Sequence, residues 1–134
     1  MKRYLLDTTA LIAHYRGEEG ADRVQILLYD ESVDVHVCSI SIIEMTRRMA
    51  SLGIDSAESR SISLEYASLA TSVIAVDAAI AIRAFELGSM CAARLPLADA
   101  LIASAANSVD AVLVHRDAHF ESIPAALLLQ ESIG

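Results

Sequence analysis

The sequence predicts an α/β fold, a three-layer arrangement in which a parallel sheet of four to five strands is flanked by helices. Three observations predict it. Short apolar runs without polar alternation, such as Tyr4-Leu5-Leu6 and Ala111 to His115, have the pattern of strands covered on both faces. These runs alternate with longer stretches of helical periodicity, the order that builds a parallel sheet with helices on either side. Several strand-to-helix junctions also carry an acid, at the sheet edge where α/β folds place their sites.

Taken in order, the first strand stops at Asp7, and after Thr8 and Thr9 the run Ala10-Leu11-Ile12-Ala13 takes up a helical pattern. Gly17 and Gly20 frame a turn containing Glu18 and Glu19. A second helix is expected from Ala21 to about Asp30, with Val24, Leu27 and Leu28 on its apolar face. Val35 to Cys38 reads as strand two. Ser41-Ile-Ile-Glu44 has the spacing of a capping box opening a third helix, which Gly53 ends. Ser56 to Leu69 is a further helix and Ser72 to Val76 strand three. Asp77 opens a helix running to about Gly88. Pro96, at its favoured first-turn position, starts another that continues through Ala106 to Asn107. Ala111 to His115 is strand four, and the apolar tail from Ala126 to Leu129 is a last strand or a short packed helix. No linker, repeat or low-complexity segment interrupts the series, so residues 1–134 read as one domain.

Hydrophobic residues make up 54% of the chain and aromatics only 4%, so the core must be aliphatic. No apolar run approaches the ~18 residues of a membrane span, and Asp7 comes too early for a secretory signal. Cys38 and Cys91 lack C-x-x-C spacing and lie in apolar surroundings, as expected of free thiols in a reducing cytoplasm. A formal net charge of −8 argues against broad adhesion to nucleic acid or an anionic membrane. An acidic protein still reaches phosphate when bound cations bridge it to the carboxylates.

In a parallel sheet the carboxyl ends of strands and the amino ends of the following helices share one edge. Asp7 ends strand one, Glu44 falls in the first turn expected after strand two, Asp99 in the first turn of the Pro96 helix, and Asp117 just past strand four. Asp77 passes the same test, whereas Asp34 and Asp110 precede their strands and belong to the opposite edge. Each acid also has an ordinary explanation. Asp7 would N-cap its helix, Glu44 would pair with Ser41 or with Arg48 at i,i+4, Asp99 suits a helix dipole, and Asp117 a turn. Two carboxylates ~4 Å apart repel by about 4 kcal/mol at an effective dielectric near 20, so a cluster requires protons or a cation. Oxygen donors alone favour Mg²⁺ or Mn²⁺ over zinc, and such an ion suits phosphodiester hydrolysis.

The segments L-L-D-T-T-A-L-I, Glu44 after S-I-S-I-I, L-P-L-A-D-A-L-I-A-S-A-A and L-V-H-R-D-A-H-F resemble, in order and over nearly the whole length, the four acidic motifs of PIN-domain ribonucleases. Within that family the chain most resembles VapC-type toxins of type II toxin–antitoxin pairs. The resemblance implies a PIN-like fold, a homodimer, a cognate antitoxin protein, and Mg²⁺- or Mn²⁺-dependent endoribonuclease activity on RNA such as tRNA. It makes Asp7, Glu44, Asp99 and Asp117 the catalytic acids, with Asp7, Asp99 and Asp117 as metal ligands. Thr9 falls where a hydroxyl or amide often stands beside the metal. The chain departs from the pattern at His115, where many members carry Thr or Ser two residues before the last acid; strand termination is its favoured role.

Arg16, Arg47, Arg48 and Arg116 flank the acidic edge; Arg116 is a candidate phosphate contact, and the alternative for all four is solvated or salt-bridged surface. His115 and His119 would suit zinc only on a helix. Met45, Met49 and Leu52 at helical spacing indicate core packing, with an antitoxin groove as the sharper alternative. Two rival functions remain. A non-catalytic partner-binding module would retain the acidic pocket without cutting RNA. A receiver-type phospho-acceptor domain needs two adjacent acids after strand one and a lysine after the last strand, and the only lysine here is Lys2.

Overall fold

The computed structural model describes residues 1–134. The sheet has five strands, β1 (Lys2–Leu6), β2 (Val33–Cys38), β3 (Ser72–Ile74), β4 (Val112–His115) and β5 (Gln130–Ser132), all parallel, in the order β3-β2-β1-β4-β5. Six helices cover it: α1 (Thr8–Arg16), α2 (Ala21–Tyr29), α3 (Ser39–Ser51), α4 (Ser56–Leu69), α5 (Ala78–Ser89) and α6 (Leu97–Ser108). A 3₁₀ turn, Ala118–Ser122, follows β4. None of the helices is long and apolar enough to cross a membrane.

Alternation along the strands divides the core. Tyr4 and Leu6 of β1, Val35 and Val37 of β2 and Val114 of β4 pack with α1 to α4, through Ala10, Leu11, Val24, Leu27, Met45, Met49 and Tyr66. Leu5, Cys38 and Leu113 face the opposite layer of α5 and α6, where Ala100, Ala103, Ala105 and Ala106 are small enough to bring α6 close to the sheet. Met45 and Met49 are buried, so they belong to the core, while Leu52 is exposed. Both cysteines are free. The chain winds from β1 to β2 to β3 along one side, then crosses to β4 on the other side of β1. The crevice at that reversal opens at the carboxyl ends of β1 and β4.

Four details differ from the sequence reading. The helix after β2 begins at Ser39 with Cys38 as N-cap, two residues before the expected capping box, so Ser41 and Glu44 lie inside α3 and Glu44 is in its second turn. Pro96 is the N-cap of α6 rather than its first helical residue. Strand three ends at Ile74, two residues early. The last strand lies at Gln130–Ser132, just beyond the apolar tail Ala126 to Leu129 read as a last strand or a short packed helix, and that tail forms neither. Its anchors are polar. Arg23 of α2 meets Glu131 through two hydrogen bonds, of 2.7 and 3.1 Å, and its guanidinium stands 5.6 Å from the centre of the Tyr4 ring.

Candidate metal centre

Asp7 is the first residue past β1, and it is almost completely buried, at 2% exposure. Its backbone N–H continues the sheet by donating to the Val114 carbonyl. Its carboxylate caps α1, accepting from the Ala10 N–H at 2.8 Å, and takes the Thr9 hydroxyl at 2.7 Å. Capping therefore accounts for one oxygen's contacts but not for the choice of a charged group in a buried place. Burial pushes the carboxyl up to about 7; the Thr9 and Ala10 hydrogen bonds oppose the rise, and the neighbouring charges of Asp117 and Asp99 add to it.

Asp99 sits in the first turn of α6 and Asp117 directly after β4, where it N-caps the 3₁₀ turn by accepting from His119 N–H at 2.9 Å. That turn brings the His119 side chain back over both acids. Its Nδ1 lies 3.1 Å from Asp99 Oδ2 and 3.0 Å from Asp117 Oδ1, and the three residues present ligand atoms all within 4.8 Å of one another. Burial, then the charge of Asp117, lifts the Asp99 carboxyl to about 6, against the pull of His119. Asp7 stands outside this set of three, below it at the end of the central strand, yet close enough for its charge to be felt.

Glu44 comes from the side. Its Oε1 lies 2.6 Å from the Thr8 hydroxyl, which is also 3.0 Å from Ser41 Oγ. A hydroxyl has one proton, so Thr8 donates to the carboxylate and the Ser41 hydroxyl supplies the second bond. Ser41 and Glu44 thus share a partner on α1 rather than capping α3, and Glu44 has no ion pair with Arg48.

Thr9 stands beside Asp7, and its hydroxyl is engaged on both sides: it donates to Asp7 and accepts from the Arg116 N–H at 2.9 Å. This ties the end of β1 to the end of β4. The Arg116 side chain lies 3.4 Å from Glu18, which also meets Arg16 at 3.7 Å. Such half-exposed pairs are worth about 0–1 kcal/mol. Asp77 caps α5 through the Ile80 N–H and stands apart from the cluster.

His115 ends β4, as favoured, and is buried. Its Nδ1 accepts from the Asp117 N–H at 3.1 Å, which leaves Nε2 as the donor to Gln130 Oε1 at 3.0 Å. The Gln130 amide in turn donates to the Phe120 carbonyl at 2.8 Å. His115 and His119 therefore point to different places and form no zinc pair. Sequence reasoning weighed His119 only as half of a zinc pair with His115, and it missed Thr8 and Gln130. Only His119 carried a signal, an imidazole two residues after the last acid, on the same turn.

The donor set suits a divalent ion. Two carboxyls held above the ordinary carboxylate range, chiefly by burial and further by the neighbouring acids, mark a place where ionised carboxylates are costly and protons or a cation would relieve them. The PIN domain model matches residues 4–126, most of the chain. The chain belongs to the PIN-domain family.

Solved structures place this PIN domain among close folds. It superposes with a TM-score of 0.77 and 21% identity on a chain of VapBC2 from Rickettsia felis, bound to a DNA fragment from their promoter, covering 98% of this chain and 99% of that one. A chain of DNA-bound VapBC from Salmonella typhimurium gives 0.77 at 22% identity, with 100% of both chains covered. VapBC-5 from Mycobacterium tuberculosis, a member of the VapBC family of toxin-antitoxin systems, gives 0.65 at 20% identity over 99% and 98%. At these identities the likeness establishes the fold. No curated protein matches the chain.

Proposed function

We propose that the chain is a metal-dependent endoribonuclease that hydrolyses RNA phosphodiester bonds, and that it is the cytoplasmic toxin of a toxin–antitoxin pair. The observation that carries this reading is the crowding of Asp7, Asp99 and Asp117 at one end of the sheet, with two of the three carboxyls lifted to about 7 and 6. Asp99 and Asp117 would hold Mg²⁺ or Mn²⁺ at the mouth of the crevice, and Asp7 completes the negative charge from below. A bound ion supplies Lewis acidity toward a phosphoryl oxygen and makes a bound water more acidic. Glu44 keeps one carboxylate oxygen anchored on Thr8, and the other accepts a proton from the attacking water. Thr9 holds the Asp7 carboxylate in register with the β4 turn. Arg116 exchanges Glu18 for a substrate phosphate.

The partners belong to the same proposal. One similar structure is described as a toxin–antitoxin complex and another as a member of a family of toxin–antitoxin systems, which supports a cognate antitoxin for this chain, and the sequence resemblance supports a homodimer and a structured RNA such as tRNA. The purified protein, incubated with folded RNA, should cut it with Mn²⁺ or Mg²⁺ and stop when EDTA is added. Asp99→Asn should lower the rate by about 10²-fold or more, the scale of losing one charge-stabilising group. Binding of the RNA without cleavage at any ion concentration would favour the non-catalytic module instead.

A further inference from the structure

His119 is not one of the acids that the family motifs point to, yet its imidazole is the group that closes the cluster. Its Nδ1 stands 3.1 Å from one oxygen of Asp99 and 3.0 Å from one oxygen of Asp117, while those two acids come from elements far apart in sequence, α6 and the turn after β4. Neighbouring ligands of an octahedral ion with bonds of ~2.1 Å are about 3.0 Å apart. The nitrogen therefore stands from each of the two oxygens at the spacing of adjacent corners of such a coordination shell. The backbone reinforces this placement, because the His119 N–H is itself held by Asp117 Oδ1 at 2.9 Å, fixing the turn from which the ring projects.

We infer that His119 is a direct ligand through Nδ1, and that its nitrogen makes the centre favour a first-row transition ion such as Mn²⁺ over Mg²⁺. The inference rests on the reading that the acidic crevice holds a divalent ion. It goes further by naming a ligand and a class of ion. Mg²⁺ is a hard ion that keeps oxygen ligands and gives up water reluctantly, whereas imidazole nitrogen strengthens binding of the first-row transition ions. A site of carboxylates alone would discriminate weakly between the two. The His119 side chain is 61% exposed and its ring fills no part of the core, so replacing it leaves the fold intact.

The test compares wild type with His119→Asn, whose amide oxygen keeps a hard donor near the place of Nδ1. Dissociation constants for Mn²⁺ are measured by the electron paramagnetic resonance signal of the free ion, and those for Mg²⁺ by competition. The wild-type preference for Mn²⁺ should fall about tenfold in the variant, the scale on which single groups around a metal act, with Mg²⁺ affinity nearly unchanged. Pulsed resonance of the Mn²⁺-loaded wild type should show coupling to an imidazole nitrogen, and the variant should lose it. If both ions bind but no nitrogen coupling is found, or the preference survives in the variant, His119 is only an ion-pair partner of the two acids and the inference fails alone. If neither ion binds the wild type, the inference falls together with the metal-dependent reading.

Discussion

Asp7→Asn separates a buried charge kept for an ion from a buried charge kept to cap a helix. The wild-type carboxyl has its pKa raised from 3.8 to about 7, chiefly by burial. At ~1.4 kcal/mol per pH unit, the ionised form costs the folded state about 4 kcal/mol at pH 8. The sign follows from proton counting. Below the unfolded value both states hold the proton and the cost is nil. Between 3.8 and about 7 only the folded state holds it, so stability falls as pH rises, and above about 7 the full cost remains. Asparagine does not titrate, and its amide oxygen can still accept from Ala10 N–H, as a good N-cap residue does.

The variant should therefore be the more stable protein at pH 8 without metal, and the comparison across pH removes any fixed difference in how well the amide fits. From pH 5.5 to pH 8 the gap in unfolding free energy should widen by about 2 kcal/mol in favour of Asp7→Asn. Urea unfolding followed by circular dichroism, in EDTA at both pH values, measures it. Addition of Mn²⁺ should then narrow the gap, since an ion that binds the folded wild type more tightly than the variant adds up to about 2.7 kcal/mol at a concentration of 100 Kd. A gap that stays flat with pH, or a variant less stable than wild type at pH 8 in EDTA, would show that Asp7 is kept for its cap and refute the charge-crowding argument.

Three further outcomes follow from the same geometry. Metal affinity should rise between pH 5.5 and 8, because protons held by Asp99 up to about 6 and by Asp7 up to about 7 must leave before an ion enters; titration calorimetry in buffers of different ionisation enthalpy should detect their release. Gln130→Ala leaves the buried His115 Nε2–H and the Phe120 carbonyl without their partner, so it should cost about 1–3 kcal/mol in urea unfolding and weaken metal binding through Asp117. Gly20→Ala should cost roughly 3 kcal/mol, since φ is +94° and a Cβ would lie 2.7 Å from the Ile133 carbonyl oxygen; Gly17→Ala, at φ +63° with open space around it, should cost about 1–2 kcal/mol by the same assay.

The sequence made the sheet legible because its central strands are buried on both faces and cannot hide a polar period. Tyr4 to Leu6 and Leu113 to His115 needed only their own residues to be placed. The outer strand at Gln130–Ser132 has no such pattern. It is held by Arg23 on Glu131 and by Gln130 on His115, contacts across 108 and 15 positions that no local window contains. The apolar residues before it, including buried Leu128, pack on α6 as a turn, which is why hydrophobicity pointed three to four residues too early.

The candidate site divides along the same line. The edge rule located Asp7, Asp99 and Asp117 because each follows directly from where a strand ends or a helix begins. It also admitted Asp77, which the structure leaves as an ordinary cap. Ser41-x-x-Glu44 was legible as a pattern but assigned to the wrong partner. Residues three apart lie on one face of a helix interior as readily as they form a capping box at its start, and here the shared face meets Thr8, a residue 33 positions from Ser41. His119 was illegible for a different reason. A histidine two positions past an acid has no fixed meaning until a 3₁₀ turn, which needs only i→i+3 bonds, folds it back over that acid. The groups that local order places are thus the acids at the sheet edge, and the groups whose partners lie elsewhere in the chain, Thr8 on Glu44, Gln130 on His115 and His119 on Asp99, are the ones that decide which way that charge points.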